Sequence, residues 1–286
     1  MHLRNDTVVV EFILLGLSSD PKTQRIIFVI FLLGYIIIWI GNSLFIILIV
    51  TNINLHTPMY FFLLNLSFLD LCYSTSVVPR TLSDLLSSKK IITYAECAFV
   101  FSFLRTICYP LHYSTIMRKM VCIRIASGTW LCGFLLSIFQ VAPTLSVDLC
   151  GNNKINHVVC EVPEILSLSC ENIVLVEFII FVVGVIILIT PVTFIVVSYI
   201  KIILNILKIA SSAGRRKAFS TCGSHMIVVT IFYGSAMAVY MKPRSSSIPG
   251  TDKWMAVFYG LVPSMLNPMI YSLRNHEVKV ACLKFR

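Results

Sequence analysis

Six stretches of this chain run for about 20 residues or more with almost no charge, and they constrain its fold more tightly than any other feature. A helix rises about 1.5 Å per residue, so roughly 20 mostly apolar residues cross the ~30 Å of hydrocarbon in a bilayer. Ile26 to Val50, Ile125 to Leu145, Phe178 to Ile200, Ala218 to Met241 and Trp254 to Leu273 hold no Asp, Glu, Lys or Arg, and Met59 to Val78 holds only Asp70. None shows the one-sided polar periodicity of a soluble core helix, so each reads as a membrane span.

Composition closes off the alternatives. With 57% hydrophobic residues and 13% charged over 286 residues, a water-soluble domain lacks the polar groups to cover itself, and a disordered chain or a cytosolic enzyme is excluded. The net charge of +10 could suit nucleic acid, but the basic residues sit in short gaps between apolar runs, which favours membrane lipid as the partner over nucleic acid. Met1 to Arg25 has no apolar core followed by a small-residue cleavage site, so the first span is expected to target the chain itself.

Between the second and third runs, Pro79 to Arg124 is long enough for a seventh crossing, yet its best apolar stretch is only Ala98 to Leu104. A crossing here must use Ala98 to Met117, which includes Arg105, Pro110 and His112. A central arginine costs about 2.5 to 3.5 kcal/mol on insertion scales, and the proline removes a helical hydrogen bond. With seven crossings and the N-terminus outside, 13 of the 23 Lys and Arg residues fall inside, a slight positive-inside bias strongest at Arg215, Arg216 and Lys217.

Several motifs then carry a resemblance. Gly41-Asn42, the run Leu55-His56-Thr57-Pro58-Met59-Tyr60, Leu66-Ser67-Phe68-Leu69-Asp70, Pro110-Leu111-His112-Tyr113, Ser198-Tyr199, Lys217-Ala218-Phe219-Ser220-Thr221-Cys222-Gly223-Ser224-His225 and Asn267-Pro268-Met269-Ile270-Tyr271 together resemble the odorant (olfactory) receptors. These are a branch of the rhodopsin-like G-protein-coupled receptors. The resemblance covers nearly the whole chain and implies an all-α membrane protein, a seven-transmembrane helix bundle of rhodopsin type. It forms one domain: residues 1–25 extracellular, 26–275 helices and loops, 276–286 a cytoplasmic tail. The implied role is odorant detection at the plasma membrane, with a small-molecule odorant and a heterotrimeric G protein as partners and no enzymatic activity.

One departure is large. The family's Asp-Arg-Tyr run at the inner end of the third helix is missing, and Ile107-Cys108 stands directly before Tyr109-Pro110. Relative to the family pattern roughly 20 residues are absent, about 30 Å of helix, which predicts a truncated or distorted third helix. That puts coupling in question. Either Ala98 to Met117 is threaded across the bilayer, or the product is a non-signalling shortened receptor retained in the endoplasmic reticulum. A transporter or channel is the remaining class and would require paired repeats and pathway-facing charges, which the sequence does not display.

Candidate site residues follow from burial costs, spacing and the resemblance. Asn42, Asp70 and Asn267 are polar groups inside apolar helices, where an unpaired carboxylate or amide is costly, so they are expected to face one another or to serve as interhelical glue. The resemblance implies a sodium and activation site there, with Pro268 as a hinge for Tyr271. Val183, Gly184 and Ile187 share one face of the fifth family helix; Tyr233, Ala236, Met237 and Tyr240 share one face of the sixth, and these seven are the candidate odorant-binding residues. Tyr199, Arg215, Arg216 and Lys217 could border a G-protein face, or form a basic patch at the lipid surface. Cys150, Cys160 and Cys170 share an outer loop and suggest disulfides over a zinc site; the resemblance implies the pairs Cys97 with Cys160 and Cys150 with Cys170. Asn5-Asp6-Thr7 is a glycosylation acceptor, and no metal or cofactor is expected.

Overall fold

The computed structural model describes residues 11–87, 90–94, 96–97, 119–147, 149, 153–170, 173–208, 211–241, 250–274 and 278. The third-helix segment Ala98 to Met117 and the acceptor Asn5 lie outside the described residues. Among the described residues, six long helices hold the six apolar runs: α1 (Pro21–Thr51), α2 (Pro58–Leu86), α3 (Lys119–Leu145), α5 (Val174–Leu207), α6 (Ser212–Tyr240) and α7 (Thr251–Arg274), with a short α4 (Val162–Leu166) between α3 and α5. By length and composition, α1, α2, the Ala126–Thr144 part of α3, α5 and α6 are apolar enough to cross a membrane.

Local chemistry sets the ends of the helices, and it moves several of them beyond the apolar runs. Asp20 caps α1, accepting from the Thr23 backbone N–H at 2.9 Å and from its hydroxyl at 2.6 Å, and Pro21 follows at the first helical position. The helix therefore takes in residues 21–25, which the sequence assigns to the extracellular segment. Ser211 caps α6 through the Gly214 N–H, so Arg215, Arg216 and Lys217 stand on the first turns of a helix and not in a loop. Val278, in the stretch read as a tail, is buried with Phe45, Leu48, Leu55 and Tyr60.

Helices α1 and α2 each bury a stripe that recurs every three to four residues. In α1 it runs Ile27, Phe31, Gly34, Ile38, Asn42, Phe45, Ile49; in α2, Tyr60, Leu63, Ser67, Asp70, Ser74, Val78, Thr81, Leu85. Those stripes face each other and α7, with Ile27, Phe31, Ile38, Val78, Leu85 and Leu261 forming one apolar cluster. Gly41 lets α1 and α7 approach closely: a Cβ there would stand 2.9 Å from Pro268 Cγ.

A three-stranded sheet covers the N-terminal side, an element that hydropathy does not announce. β1 (Glu11–Leu14) lies between β2 (Ile91–Thr93), paired antiparallel with Phe12 opposite Ile92, and β3 (Lys154–Ile155), paired parallel. Phe12, Leu14, Ile92, Ile155 and Ile165 pack there with the disulfide joining Cys97 and Cys160. Gly16, in the left-handed region at φ 68°, then turns the chain from β1 toward α1, and its carbonyl accepts from Lys253 Nζ of α7 at 2.7 Å.

Candidate functional site

Three constellations of polar side chains lie at different depths of the bundle. The deepest joins α2 to α7. Asp70 accepts from the Ser264 hydroxyl at 2.8 Å through Oδ1 and from the Asn267 amide at 2.8 Å through Oδ2. Asn42 of α1 donates to the Ile38 carbonyl at 2.9 Å and to the Ser264 carbonyl at 3.2 Å. All four side chains are buried, so these bonds offset a desolvation cost that each group would otherwise carry alone. Asp70 and Asn267 thus bond directly, and Asn42 joins them through the Ser264 carbonyl. Ser264 completes the group, one helical turn from Asn267 on the same face of α7. That i, i+3 spacing was the available sequence signal. Pro268 sits against Gly41 within a helix that continues to Arg274; the Tyr271 side chain lies outside the described residues.

On the inner side, α5 and α6 meet through Tyr199 and His225. The Tyr199 hydroxyl hydrogen-bonds His225 Nδ1, and the rings stack with centroids 5.7 Å apart at 15°. His225 is thus an interface residue. Arg215 is half-buried and Arg216 exposed on the first turns of α6, while the Lys217 side chain lies outside the described residues.

Toward the outer half of the same helix pair, Tyr233 and Ala236 of α6 are buried against Leu188 of α5, with Met237 and Tyr240 packed beside them. Phe232 meets Tyr233 edge-on, ring centroids 5.0 Å apart. Val183, Gly184 and Ile187 are half-buried on α5, and the residue following Ile187 makes the close contact with α6.

The outermost constellation was not foreseen. Glu161, beside the disulfide-bonded Cys160, is 8% exposed and accepts from the Tyr259 hydroxyl at 2.6 Å and the Tyr240 hydroxyl at 3.0 Å; those two hydroxyls are 3.0 Å apart. Glu161 also lines a cleft between α1, α2 and α7 with Phe31, Tyr73, Thr81, Ala256 and Gly260. Nothing local in the sequence signals this group, because its members lie 79 and 98 residues apart.

The sheet and its disulfide anchor the chain that carries Glu161. Glu96, next to Cys97, accepts from the Thr93 N–H at 2.9 Å and the Thr93 hydroxyl at 3.0 Å, and those bonds hold its carboxyl below the usual carboxylate value. Cys97 pairs with Cys160. Cys170 is disulfide-bonded as well, while Cys150 lies outside the described residues. The described residues contain no cluster of His, Cys, Asp and Glu that could hold a metal.

Comparisons with known proteins point in one direction. A family profile described as olfactory receptor matches residues 31–285. Olfactory receptor 5AR1 of Mus musculus is 44% identical over 303 residues, covering 99% of this chain and 98% of that protein. Olfactory receptor 2D2 of Homo sapiens is 45% identical over 303 residues with the same coverage. Among solved structures, squid rhodopsin superimposes with a TM-score of 0.62 at 18% identity, covering 93% of this chain and 86% of that one. An alignment of 303 positions against a chain of 286 residues leaves at least 17 positions of these relatives without a counterpart here.

Proposed function

The chain belongs to the olfactory receptor family, and from that premise we propose how its parts divide the work of an odorant-detecting, G-protein-coupled receptor of the plasma membrane. The outer halves of α5 and α6 form the odorant-facing wall, with Tyr233, Ala236, Met237 and Tyr240 on one side and Val183, Gly184 and Ile187 on the other. An aromatic and aliphatic wall with a few hydroxyls suits a small, largely apolar molecule. Tyr199 with Arg215, Arg216 and Lys217 forms the G-protein face, and membrane lipid surrounds the exposed apolar flanks.

The observation that carries this reading is the buried bridge from Asp70 to Ser264 and Asn267, beside the close approach of Gly41 to Pro268. A polar network inside apolar helices is a bistable contact: its bonds are exchanged as a set, so a shift of α7 at the odorant wall changes the inner face as well. Asn42, Asp70, Asn267, Pro268 and Tyr271 are the residues assigned to that step.

A second reading has its own support. The positions missing relative to the family, together with the absent Asp-Arg-Tyr run, favour a shortened receptor that folds in the membrane and does not signal. One experiment separates the two. Cells displaying the tagged chain are mapped for accessibility of the N-terminus and the Lys279 tail, then tested for odorant-evoked cyclic-nucleotide signalling. Termini on opposite sides with an odorant response support the working receptor. Termini on the same side, or a correctly threaded surface protein silent across a broad odorant panel, support the non-signalling product.

A further inference from the structure

We propose that the outward flank of α1 and α2 is an interface for a second copy of this chain, joined by hydrogen bonds from Tyr35, Trp39 and Thr75 near the middle of the membrane. These three side chains close a triangle on the surface. The Trp39 indole N–H reaches the Tyr35 hydroxyl at 2.9 Å and the Thr75 hydroxyl at 3.2 Å, and the Tyr35 hydroxyl donates to Thr75 at 3.4 Å. Trp39 is 45% exposed and Thr75 is exposed beside it. The group holds three protons, and the indole proton is shared between two of its three contacts. One hydroxyl proton spans the third contact. The other, from Thr75 or from Tyr35 if that pair reverses, has no acceptor inside the triangle.

Depth decides what that proton can meet. Trp39 lies near the middle of the apolar run Ile26 to Val50, three residues before Asn42 of the buried network. Hydrocarbon holds no water at that level, and the ester and headgroup oxygens of lipid lie about 15 Å away at either face of the layer. Acyl chains present no acceptor, so a hydroxyl left among them carries its full desolvation cost. The exposed flank of α5 shows the usual escape: Thr193 returns its hydroxyl to the Ile189 carbonyl of its own helix at 2.9 Å. In the triangle the hydroxyls are turned to one another instead.

A second copy meets the depth requirement by construction. Every copy crosses the bilayer in the same orientation, so each carries its triangle at the same level. Across a two-fold axis along the membrane normal, the Thr75 hydroxyl of each copy donates to the Tyr35 oxygen of the other, which accepts one bond in its own triangle and has capacity for a second. The flanking surface suits the contact: Leu32, Ile36 and Trp39 on α1, and Phe68, Thr75 and Pro79 on α2, are exposed at helical spacing along one face each. Apolar faces alone gain little from pairing in lipid, and polar contacts at fixed depth select which faces pair.

The test reads association without a G protein, so its result is separate from whether the chain signals. Full-length protein, labelled in two batches with donor and acceptor dyes on a C-terminal tag, is reconstituted into phosphatidylcholine vesicles, and energy transfer is followed against the protein-to-lipid ratio. Tyr35→Phe with Thr75→Val keeps the shapes and removes both hydroxyls; it is expected to need on the order of tenfold more protein per lipid for half-maximal transfer. Thr193→Val, the control on α5, is expected to follow the unmodified chain. Transfer no higher than random crowding in the unmodified protein leaves the flank to lipid or a dissolved molecule and overturns the interface. An unchanged curve in a double variant that melts normally, or an equal loss in Thr193→Val, overturns it as well. Should the double variant not fold, Thr75→Val alone decides by the same shift.

Discussion

The α1, α2 and α7 side of the bundle and the α5 and α6 side are made of similarly apolar helices, yet different forces hold them together. In α1 eight residues are buried along one stripe, and at its centre Asn42 meets the Asp70, Ser264 and Asn267 network. In the 34-residue α5 only Leu188, Pro191 and Ile206 are buried, and apolar side chains such as Phe178, Ile186, Phe194 and Ile200 point outward. A helix apolar all round gains little from touching a neighbour in lipid, since lipid tails are as apolar as the neighbour. Buried polar groups have no such substitute. The first side is fixed by the cost of unmaking its hydrogen bonds, and α5 and α6 meet through ring packing and the bond from Tyr199 to His225. That difference fits the proposal that puts the ligand wall and the inner face on the second side.

The comparison predicts a graded set of losses. Asp70→Ala strands the Asn267 amide and opens a small cavity, whereas the Ser264 hydroxyl falls back on the Gly260 carbonyl at 3.3 Å. The expected destabilisation is about 2–4 kcal/mol by thermal unfolding in nanodiscs, and a loss below that of Tyr199→Phe would erase the contrast between the two sides. Gly41→Ala places a Cβ 2.9 Å from Pro268 Cγ and separates α1 from α7, at about 1–3 kcal/mol. The matching change on the other side, Gly184→Ala, meets nothing within 4 Å and should leave Tm unchanged; comparing the two melting curves sharpens the contrast.

Smaller effects follow. Tyr199→Phe removes the hydroxyl bonded to His225 and keeps the stacked ring, so about 0.5–1 kcal/mol is expected, with any larger change appearing in the signalling response and not in Tm. The smallest effect is at the exposed cap of α1. The Thr23 bonds hold the Asp20 carboxyl below its ordinary value, so the cap is fully present above that ordinary value and is lost as pH falls through the lowered one. Hydrogen exchange at the Thr23 amide should quicken on acidification, and Asp20→Ala should abolish the pH dependence.

Much of the polar side was legible before any coordinates. Asp70 stands out as the one charge in its apolar run, and the penalty for leaving it alone predicts polar partners; Asn267 is one, whereas Asn42 bonds the Ile38 and Ser264 carbonyls. Ser264 was readable from its spacing to Asn267, yet its place in the network appears only when α2 is set against α7. The outer sheet was hidden. β1 is four residues long and gains its strand partners from segments far away in the chain, Ile91–Thr93 and Lys154–Ile155, so no local pattern specifies it. Between α5 and α6, helical spacing puts Tyr233, Ala236, Met237 and Tyr240 on one face of α6, but their packing against Leu188 of α5 depends on how the two helices are rotated.

What the sequence alone determined is where helices must form and roughly how long they are, because hydrocarbon leaves the backbone no partner but itself and its thickness sets the length. Only the tertiary structure decided which side chains confront each other across that bundle. Glu161 meets Tyr240 and Tyr259 because a disulfide and a strand pair draw the loop that carries it over the outer ends of α6 and α7. Such meetings turn on the rotation and approach of separate helices, quantities that no single stretch of chain encodes.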